Sequence, residues 1–251
     1  MCRFLAYLGP SRTLDTLLIE PQHSLYRQSW EPQNQKHGTI NADGFGVGWY
    51  EPSLRPEPAL YRSARPIWAD RSFASMAGVL ASGAVLAAVR SATEPAILEE
   101  SNVPPFVSGR YLFAHNGAIE GFRDGVASKL RRGLSEERDS GILGTTDSEV
   151  LFALTLDELD GGASLADALA AVVARVSAVA RCRLNMIVTD GGRIAATSFG
   201  DDLFVGDEGD SVFVCSEPFD DSSTWKQIDD RMVLEAGIGE VSVSPLSRGD
   251  S

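Results

Sequence analysis

The fold prediction depends most on residues 184–199, which read LNMIVTDGGRIAATSF. Apolar, strand-like runs lie on both sides of Asp190-Gly191-Gly192. A short glycine-containing segment between two such runs is typical of a β-hairpin turn. We therefore predict two antiparallel strands, over residues 184–190 and 193–199.

Helical and extended patterns flank this hairpin. Thr146-Asp147 is predicted to begin a helix that runs through Leu159, and Ser164 to cap a second helix that ends near Arg181. Short helices are predicted over residues 13–19, 70–81 and 122–132. Further strands are predicted over residues 3–8, 45–50, 58–62, 84–90, 111–115, 203–206, 211–215, 231–235 and 239–243. Strands at both ends of the chain and helices in the middle predict an α+β fold of two stacked sheets covered by helices.

Composition and charge narrow the class of protein. The 251 residues contain 22 Lys and Arg against 35 Asp and Glu, so the net charge is −13. This balance is unlike the basic footprint of a nucleic-acid binder, and the one dense basic cluster, Lys129, Arg131 and Arg132, is expected on a solvated helix face. No apolar stretch approaches the ~20 residues of a membrane span, and the apolar start is too short for a signal peptide. We expect a cytoplasmic protein with a small-molecule substrate and neither nucleic-acid nor membrane partners, and a homo-oligomer stays open.

The cysteines and histidines give little sign of cross-links or metals. The chain has three cysteines, an odd and sparse set that cannot form a disulfide framework. Cys182 and Cys215 lie in apolar contexts and are predicted to be buried, inert thiols. The three histidines lack the spacing of a zinc site. No metal and no cofactor are therefore expected.

The dipeptide Met1-Cys2 is the first chemical signal. Removal of Met1 would leave Cys2 with a free α-amine. Free α-amines have a pKa of about 7.7–8.0 and thiols about 8.5. One residue could then supply both a nucleophile and its base. By itself the dipeptide is weak evidence, because many proteins begin with it by chance.

Four more motifs could carry chemistry, and each has an ordinary structural alternative. The segment NADGFGVGW at 41–49 permits close backbone approach or is a glycine-rich turn into a strand. Arg90 could bind a carboxylate or make a surface ion pair. Asn116-Gly117 could form an oxyanion hole or a hairpin turn. Asp147 could bind an ammonium group or belong to a helix cap.

In this order, the five motifs resemble the class II glutamine amidotransferases. The resembling elements are Cys2, NADGFGVGW at 41–49, VRSAT at 89–93, HNG at 115–117 and TDSEV at 146–150. The resemblance implies a four-layer αββα sandwich of the N-terminal-nucleophile hydrolase type, with one domain over residues 2–246 and a frayed tail over 247–251. It implies that Cys2 is the nucleophile, that Asn116 and Gly117 form the oxyanion hole, and that Arg90 and Asp147 bind the α-carboxylate and α-ammonium of a glutamyl group. It also implies further substrate contacts from Asp43, Gly44, Thr93 and His115.

Other segments resemble one branch of this family, the stand-alone hydrolases of a γ-glutamyl conjugate in ergothioneine biosynthesis. They lie at residues 21–30, 35–44, 66–74 and 216–221, whereas Phe4 departs from the histidine expected in that branch. The resemblance implies hydrolysis of a γ-glutamyl amide through a Cys2 thioester. Two alternatives stay open: a glutaminase subunit that supplies ammonia to a separate synthetase, and a non-catalytic binding protein on the same fold. Aromatic residues could contact a cationic leaving group, although core packing is their default role; they are Trp30, Trp49, Trp68 and Trp225.

Overall fold

The computed structural model describes residues 2–34, 40–92, 99–222 and 224–246. Its strands are β1 Arg3–Thr13, β2 Phe45–Trp49, β3 Ala59–Ser63, β4 Ala81–Val89, β5 Phe106–Ser108, β6 Tyr111–Ile119, β7 Cys182–Thr189, β8 Ile194–Ser198, β9 Phe204–Asp207, β10 Val212–Cys215, β11 Trp225–Gln227, β12 Met232–Gly237 and β13 Glu240–Pro245. Its α-helices are α1 Leu14–Leu18, α2 Leu25–Gln28, α3 Arg71–Ala77, α4 Val126–Arg131, α5 Glu136–Ser140, α6 Asp147–Asp160 and α7 Leu165–Ser177.

The strands form two antiparallel sheets. Sheet A has the order β11-β9-β10-β1-β4-β2-β3, and sheet B the order β13-β12-β8-β7-β6-β5. Sheet A thus pairs β1, at the start of the chain, with β10, more than 200 residues later. The first strand of the chain therefore lies in one sheet with β9, β10 and β11, whereas the last two strands, β12 and β13, belong to sheet B.

Three apolar cores separate four layers. The core between the sheets includes Phe4 and Leu86 of sheet A and Leu112 and Ile187 of sheet B. A second core packs sheet B against α6 and α7, and a third packs sheet A against α1 and α3. Because each sheet has one face on its partner and the other on helices, the predicted αββα sandwich is confirmed.

The predicted helix starts and the hairpin are confirmed. Thr146 caps α6 by accepting a hydrogen bond from the backbone N–H of Glu149 (3.3 Å), and Ser164 caps α7 in the same way. The hairpin pairs Thr189 with Ile194. Helix α7 ends at Ser177 and not near Arg181, because the chain must turn there to enter β7.

Several predicted boundaries were wrong. The helix predicted over 70–81 covers only Arg71–Ala77, since β4 already begins at Ala81. The helix predicted over 122–132 is divided at Gly125 into a 3-10 turn and α4. Local sequence patterns did not predict α2, α5, β5 or β11. The basic cluster of Lys129, Arg131 and Arg132 is exposed, as expected.

Strand β6 is longer than predicted, and this matters for the site. It does not end at His115 but runs to Ile119, so that Asn116 pairs with Asn185 and Gly117 with Leu184 of β7. The hairpin-turn interpretation of Asn116-Gly117 is therefore wrong. Among the described residues, no helix has the length and apolar character needed to cross a membrane.

Candidate active site

Strand alternation brings three predicted site residues to one end of the sandwich. Side chains two residues apart on a strand share a face. The residues two positions inward from Cys2, Arg90 and Asn116 all face the core between the sheets; they are Phe4, Ala88 and Ala114. Strands β1 and β4 pair antiparallel at this end, so Cys2 and Arg90 come from adjacent strands of sheet A and Asn116 faces them from sheet B.

A cavity of about 210 Å³ opens at this end. Five of the nine predicted site residues line it: Cys2, Arg90, His115, Gly117 and Asp147. They come from sheet A, sheet B and the first turn of α6. Residues from three separate motifs, VRSAT, HNG and TDSEV, thus line one cavity together with Cys2.

Cys2 immediately precedes the first hydrogen-bonded residues of β1. Its side chain is half-buried, and Sγ lies 3.9 Å from the carbonyl oxygen of Ser91. Phe4 donates its N–H to Oγ of Ser216 (3.1 Å) and accepts the N–H of Ser216 at its own carbonyl oxygen (3.0 Å). These two bonds fix the backbone two residues after the nucleophile.

The other two thiols are poorly suited to nucleophilic chemistry. Burial raises the pKa of Cys182 to about 11. Burial also raises the pKa of Cys215, which is 1% exposed. The predicted burial is therefore confirmed for Cys215 and wrong for Cys182, which is half-buried. Because the thiolate is the reactive form, the raised pKa values favour the prediction that both thiols are inert.

Asn116 is fully buried, yet its side chain has no hydrogen-bond partner among the residues that the structure describes. Neither Nδ2 nor Oδ1 is bonded. A buried polar group without a partner is uncommon and costly. Asn116 lies on the inner face of β6 between His115 and Gly117, which line the cavity, although Asn116 itself is not among the lining residues. That its Nδ2 donates a hydrogen bond to an oxyanion during reaction stays a prediction.

Arg90 is 7% exposed and lines the cavity. Its Nη1 donates to the carbonyl oxygen of Asp43 (3.3 Å), and its backbone N–H donates to the carbonyl oxygen of Gly44 (2.8 Å). The carboxylate of Asp43 accepts the backbone N–H of Ala92 (2.7 Å). Asp43 and Gly44 are not among the lining residues. The family resemblance implies substrate contact for both, which stays a prediction; in the structure both bond Arg90 through their carbonyl oxygens.

Asp147 is held by a small polar network. Its Oδ1 accepts a hydrogen bond from the backbone N–H of Ser148 (2.8 Å) and lies 3.3 Å from the Oγ of that residue. Ser148 Oγ lies 3.0 Å from Nδ1 of His115, whose Nε2 lies 3.1 Å from the carbonyl oxygen of Arg183. Since a carbonyl can only accept, Nε2 donates to Arg183, and the single hydroxyl proton of Ser148 can serve either Nδ1 or Asp147 at one time. Ser148 thus lies between His115 and Asp147, an arrangement that the sequence pattern did not indicate.

Two further predictions concern Thr93 and the tryptophans. Thr93 lies outside the described residues, as do Met1 and part of the 35–44 segment. The tryptophans do not line the cavity that the described residues form. Trp30 and Trp68 pack edge to face, with ring centroids 5.7 Å apart, and Trp225 packs on Phe219 at 4.9 Å.

A buried charge pair behind the nucleophile was not predicted. The carboxylate of Glu217 lies 3.8 Å from Nε of Arg3 and accepts the backbone N–H groups of Gln33 and Asn34, both at 2.8 Å. Both charged side chains are almost fully buried, and burial lowers the pKa of Arg3 despite the carboxylate. Gln28 adds a bond to the carbonyl oxygen of Glu217 (3.3 Å). The segments 21–34 and 216–221 thus pack together and support the start of β1.

A charged turn at the end of β6 was also missed. Phe122, Arg123 and Asp124 form a 3-10 turn, and all three line the cavity. The sequence offered only a weak signal for it, a charged pair between two glycines.

The chain is similar in sequence to known proteins of one family. The family model described as class-II glutamine amidotransferases matches residues 22–232. The chain is 39% identical over 251 residues to the γ-glutamyl-hercynylcysteine sulfoxide hydrolase of Mycobacterium tuberculosis, which covers 99% of this chain and 98% of the relative. It is 38% identical over 247 residues to the protein of that name from Mycolicibacterium smegmatis, which covers 98% and 100%.

A solved structure gives the same result for the fold. A class-II glutamine aminotransferase domain protein from Silicibacter pomeroyi superposes with a TM-score of 0.69 and 27% identity, over 98% of this chain and 100% of that one. Family match, full-length relatives and fold all point to enzymes with a cysteine nucleophile. The chain belongs to the class-II glutamine amidotransferases.

Proposed function

We propose that this protein hydrolyses γ-glutamyl-hercynylcysteine sulfoxide in the cytoplasm, releasing glutamate and hercynylcysteine sulfoxide. The observation that carries the proposal is that Cys2, Arg90 and Asp147 line one cavity. They supply a nucleophile, a cation and an anion, which are the groups needed to attack an amide on a zwitterionic glutamyl chain. The names of the full-length mycobacterial relatives support the choice of conjugate.

The glutamyl head determines the register of the substrate. The planar guanidinium of Arg90 can bind the α-carboxylate with two parallel N–H bonds. Asp147 can bind the α-ammonium at the opposite side. With both charges held, the side-chain carbonyl three bonds from the α-carbon meets the thiol of Cys2 as a positioned reactant, and such positioning lowers the barrier substantially.

The reaction then proceeds in two halves. Once Met1 has been removed, the α-amine of Cys2 takes the thiol proton, and Sγ attacks the amide carbon. The oxyanion receives hydrogen bonds from Nδ2 of Asn116 and the N–H of Gly117. Collapse breaks the C–N bond, and the departing amine takes the proton from the Cys2 ammonium. The α-amine of Cys2, now neutral, then deprotonates a water molecule. This water hydrolyses the γ-glutamyl thioester and releases glutamate.

The names of the relatives support the proposed conjugate more strongly than the shared sequence segments do. Segments 21–34 and 216–221 pack behind the nucleophile, so they support the geometry of the site and not a leaving-group pocket. A glutaminase that feeds a separate synthetase would use the same Cys2, Arg90 and Asp147. The difference between the two functions must therefore be measured on substrates.

The test is a comparison of kcat/KM for glutamate release from the sulfoxide conjugate, γ-glutamylcysteine and glutamine. We expect the conjugate to exceed glutamine at least tenfold, about 1.4 kcal/mol in transition-state binding. Cys2→Ala should be inactive on all three, whereas Cys182→Ala should keep activity. Intact mass should show that the active protein lacks Met1. A preference for glutamine, or activity only with an added synthetase, would support the glutaminase function instead.

A further inference from the structure

The cavity contains more charge than a glutamyl head can use. Its charged lining residues among those described are Arg90, Asp147, Arg123 and Asp124. The first two match the α-carboxylate and the α-ammonium of the head. Arg123 and Asp124, just after β6, are a second cation and a second anion in the lining of the same cavity.

The local fold holds this second pair in place. The 3-10 turn Phe122–Asp124 lies between Gly121 and Gly125, whose φ angles of 65° and 112° are in the left-handed region that favours glycine. Asp124 donates its N–H to the carbonyl oxygen of Gly121 (2.9 Å), which closes the turn. Phe122 packs against the apolar core of sheet B. The exposed side chain of Arg123 is thereby presented to the cavity six residues after Gly117.

The chemistry of the leaving group indicates what a second cation would bind. When an amino acid is the leaving group, its nitrogen is part of the scissile amide, and its carboxylate carbon is only two bonds from that nitrogen. When glutamine is the substrate, the leaving group is ammonia and has no carboxylate. A cation beside the scissile bond would therefore bind γ-glutamyl conjugates of amino acids in preference to glutamine. Arg90 cannot serve both carboxylates, because the glutamyl head already needs it.

We propose that Arg123 binds the carboxylate of the departing amino acid and so selects γ-glutamyl conjugates of amino acids over glutamine. The inference deepens the proposed function and rests on it. Asp124 lines the same cavity with the opposite charge, so it acts against Arg123 on this carboxylate. The two neighbouring residues thus have effects of opposite sign.

The experiment uses two substrates that differ only in the carboxylate: γ-glutamylalanine and γ-glutamylethylamide. Hydrogen bonds to charged groups contribute more than neutral ones, and exposure reduces their effect. We expect Arg123→Gln to lower kcat/KM about tenfold on γ-glutamylalanine and less than twofold on the ethylamide. Asp124→Asn should raise kcat/KM on γ-glutamylalanine. Added salt should reduce the preference of the wild type for γ-glutamylalanine, since exposed charges are screened.

Arg132→Gln is the matched control. Arg132 is an exposed arginine just after α4, its Nε donates to the carbonyl oxygen of Ser128, and it does not line the cavity. Its replacement should change neither substrate's kcat/KM. Equal losses on both substrates for Arg123→Gln, or no loss on γ-glutamylalanine, would overturn the proposal.

Calorimetric binding to the Cys2→Ala variant repeats the comparison without turnover. If that variant binds γ-glutamylalanine more tightly than the ethylamide, and Arg123→Gln abolishes the difference, Arg123 has the proposed role even where hydrolysis is not observed. A wild type that hydrolyses only glutamine would then contradict the proposed reaction alone. Equal binding of both compounds with Arg123 intact would contradict the role of Arg123.

Discussion

Replacing Asn116 by alanine should lower turnover without lowering the free energy of unfolding by more than about 1 kcal/mol. A residue kept for structure should destabilise the protein when it is truncated. Asn116 has a buried amide with no hydrogen-bond partner among the described residues, and such a group costs about 1–3 kcal/mol. Asn116→Ala removes this cost and leaves a small hole worth about 1 kcal/mol. We expect the free energy of unfolding to stay within about 1 kcal/mol of the wild type or to rise.

Asn185 is the matched control, because it pairs with Asn116 across β6 and β7 and is equally buried. Its Nδ2 donates to the carbonyl oxygens of Asp201 (2.8 Å) and Asp202 (3.2 Å). Its Oδ1 accepts the N–H groups of Phe199 (2.9 Å) and Asp201 (3.2 Å). At about 1 kcal/mol per hydrogen bond, Asn185→Ala should cost roughly 3–5 kcal/mol.

The assay combines thermal unfolding with turnover. A difference of at least about 2 kcal/mol between the two variants corresponds to at least about 4 °C in Tm for a chain of this size. Turnover should fall about 10²–10³-fold in Asn116→Ala, the usual effect of removing one oxyanion donor. If Asn116→Ala is destabilised as much as Asn185→Ala, or if it keeps normal turnover, Asn116 is structural and the oxyanion assignment is wrong.

Two further predictions concern the thiols and the glycine of the same motif. At pH 8, iodoacetamide should label Cys2 well before Cys182, because a pKa of about 11 leaves only about one Cys182 thiol in a thousand as thiolate. Labelling of Cys182, measured by peptide mass spectrometry, should increase as the pH approaches 11. Equal labelling rates of the two cysteines at pH 8 would contradict this prediction. Gly117→Ala should lower Tm and abolish activity, since the added Cβ would clash with the carbonyl oxygen of Arg183. Gly237→Ala on β12 is the control and should be tolerated, because its Cβ would meet nothing within 4 Å. A Gly117→Ala variant as stable as Gly237→Ala would mean that β6 and β7 do not pack as described.

Much of the fold could be predicted from local patterns. The caps at Thr146 and Ser164 and the turn at Asp190-Gly191-Gly192 are signals contained within a few residues, and the structure confirms each of them. Asn116-Gly117 was ambiguous because the same dipeptide suits a turn. Its place inside β6 follows from pairing with β7, almost 70 residues later, and no local pattern contains that information.

The candidate site could be predicted only in part, for the same reason. Motif order identified Cys2, Arg90 and Asp147, which the structure brings to one cavity. The partnership of Arg3 with Glu217 and the place of Arg123 in the cavity depend on tertiary contacts between distant segments. Asp43, within a recognised motif, bonds Arg90 through its carbonyl oxygen and does not line the cavity, and no local pattern indicated this contact.

The bonds between Phe4 and Ser216 have a practical consequence for anyone who expresses this protein. They fix the position of β1 in the sheet, so Cys2, the proposed nucleophile, lies two residues before a backbone position held by two hydrogen bonds. A fusion tag whose cleavage leaves even one extra amino acid would let the chain fold normally while converting the terminal amine into an ordinary peptide nitrogen. Such a preparation would be well folded and inert, so a purification handle belongs at the other end of the chain.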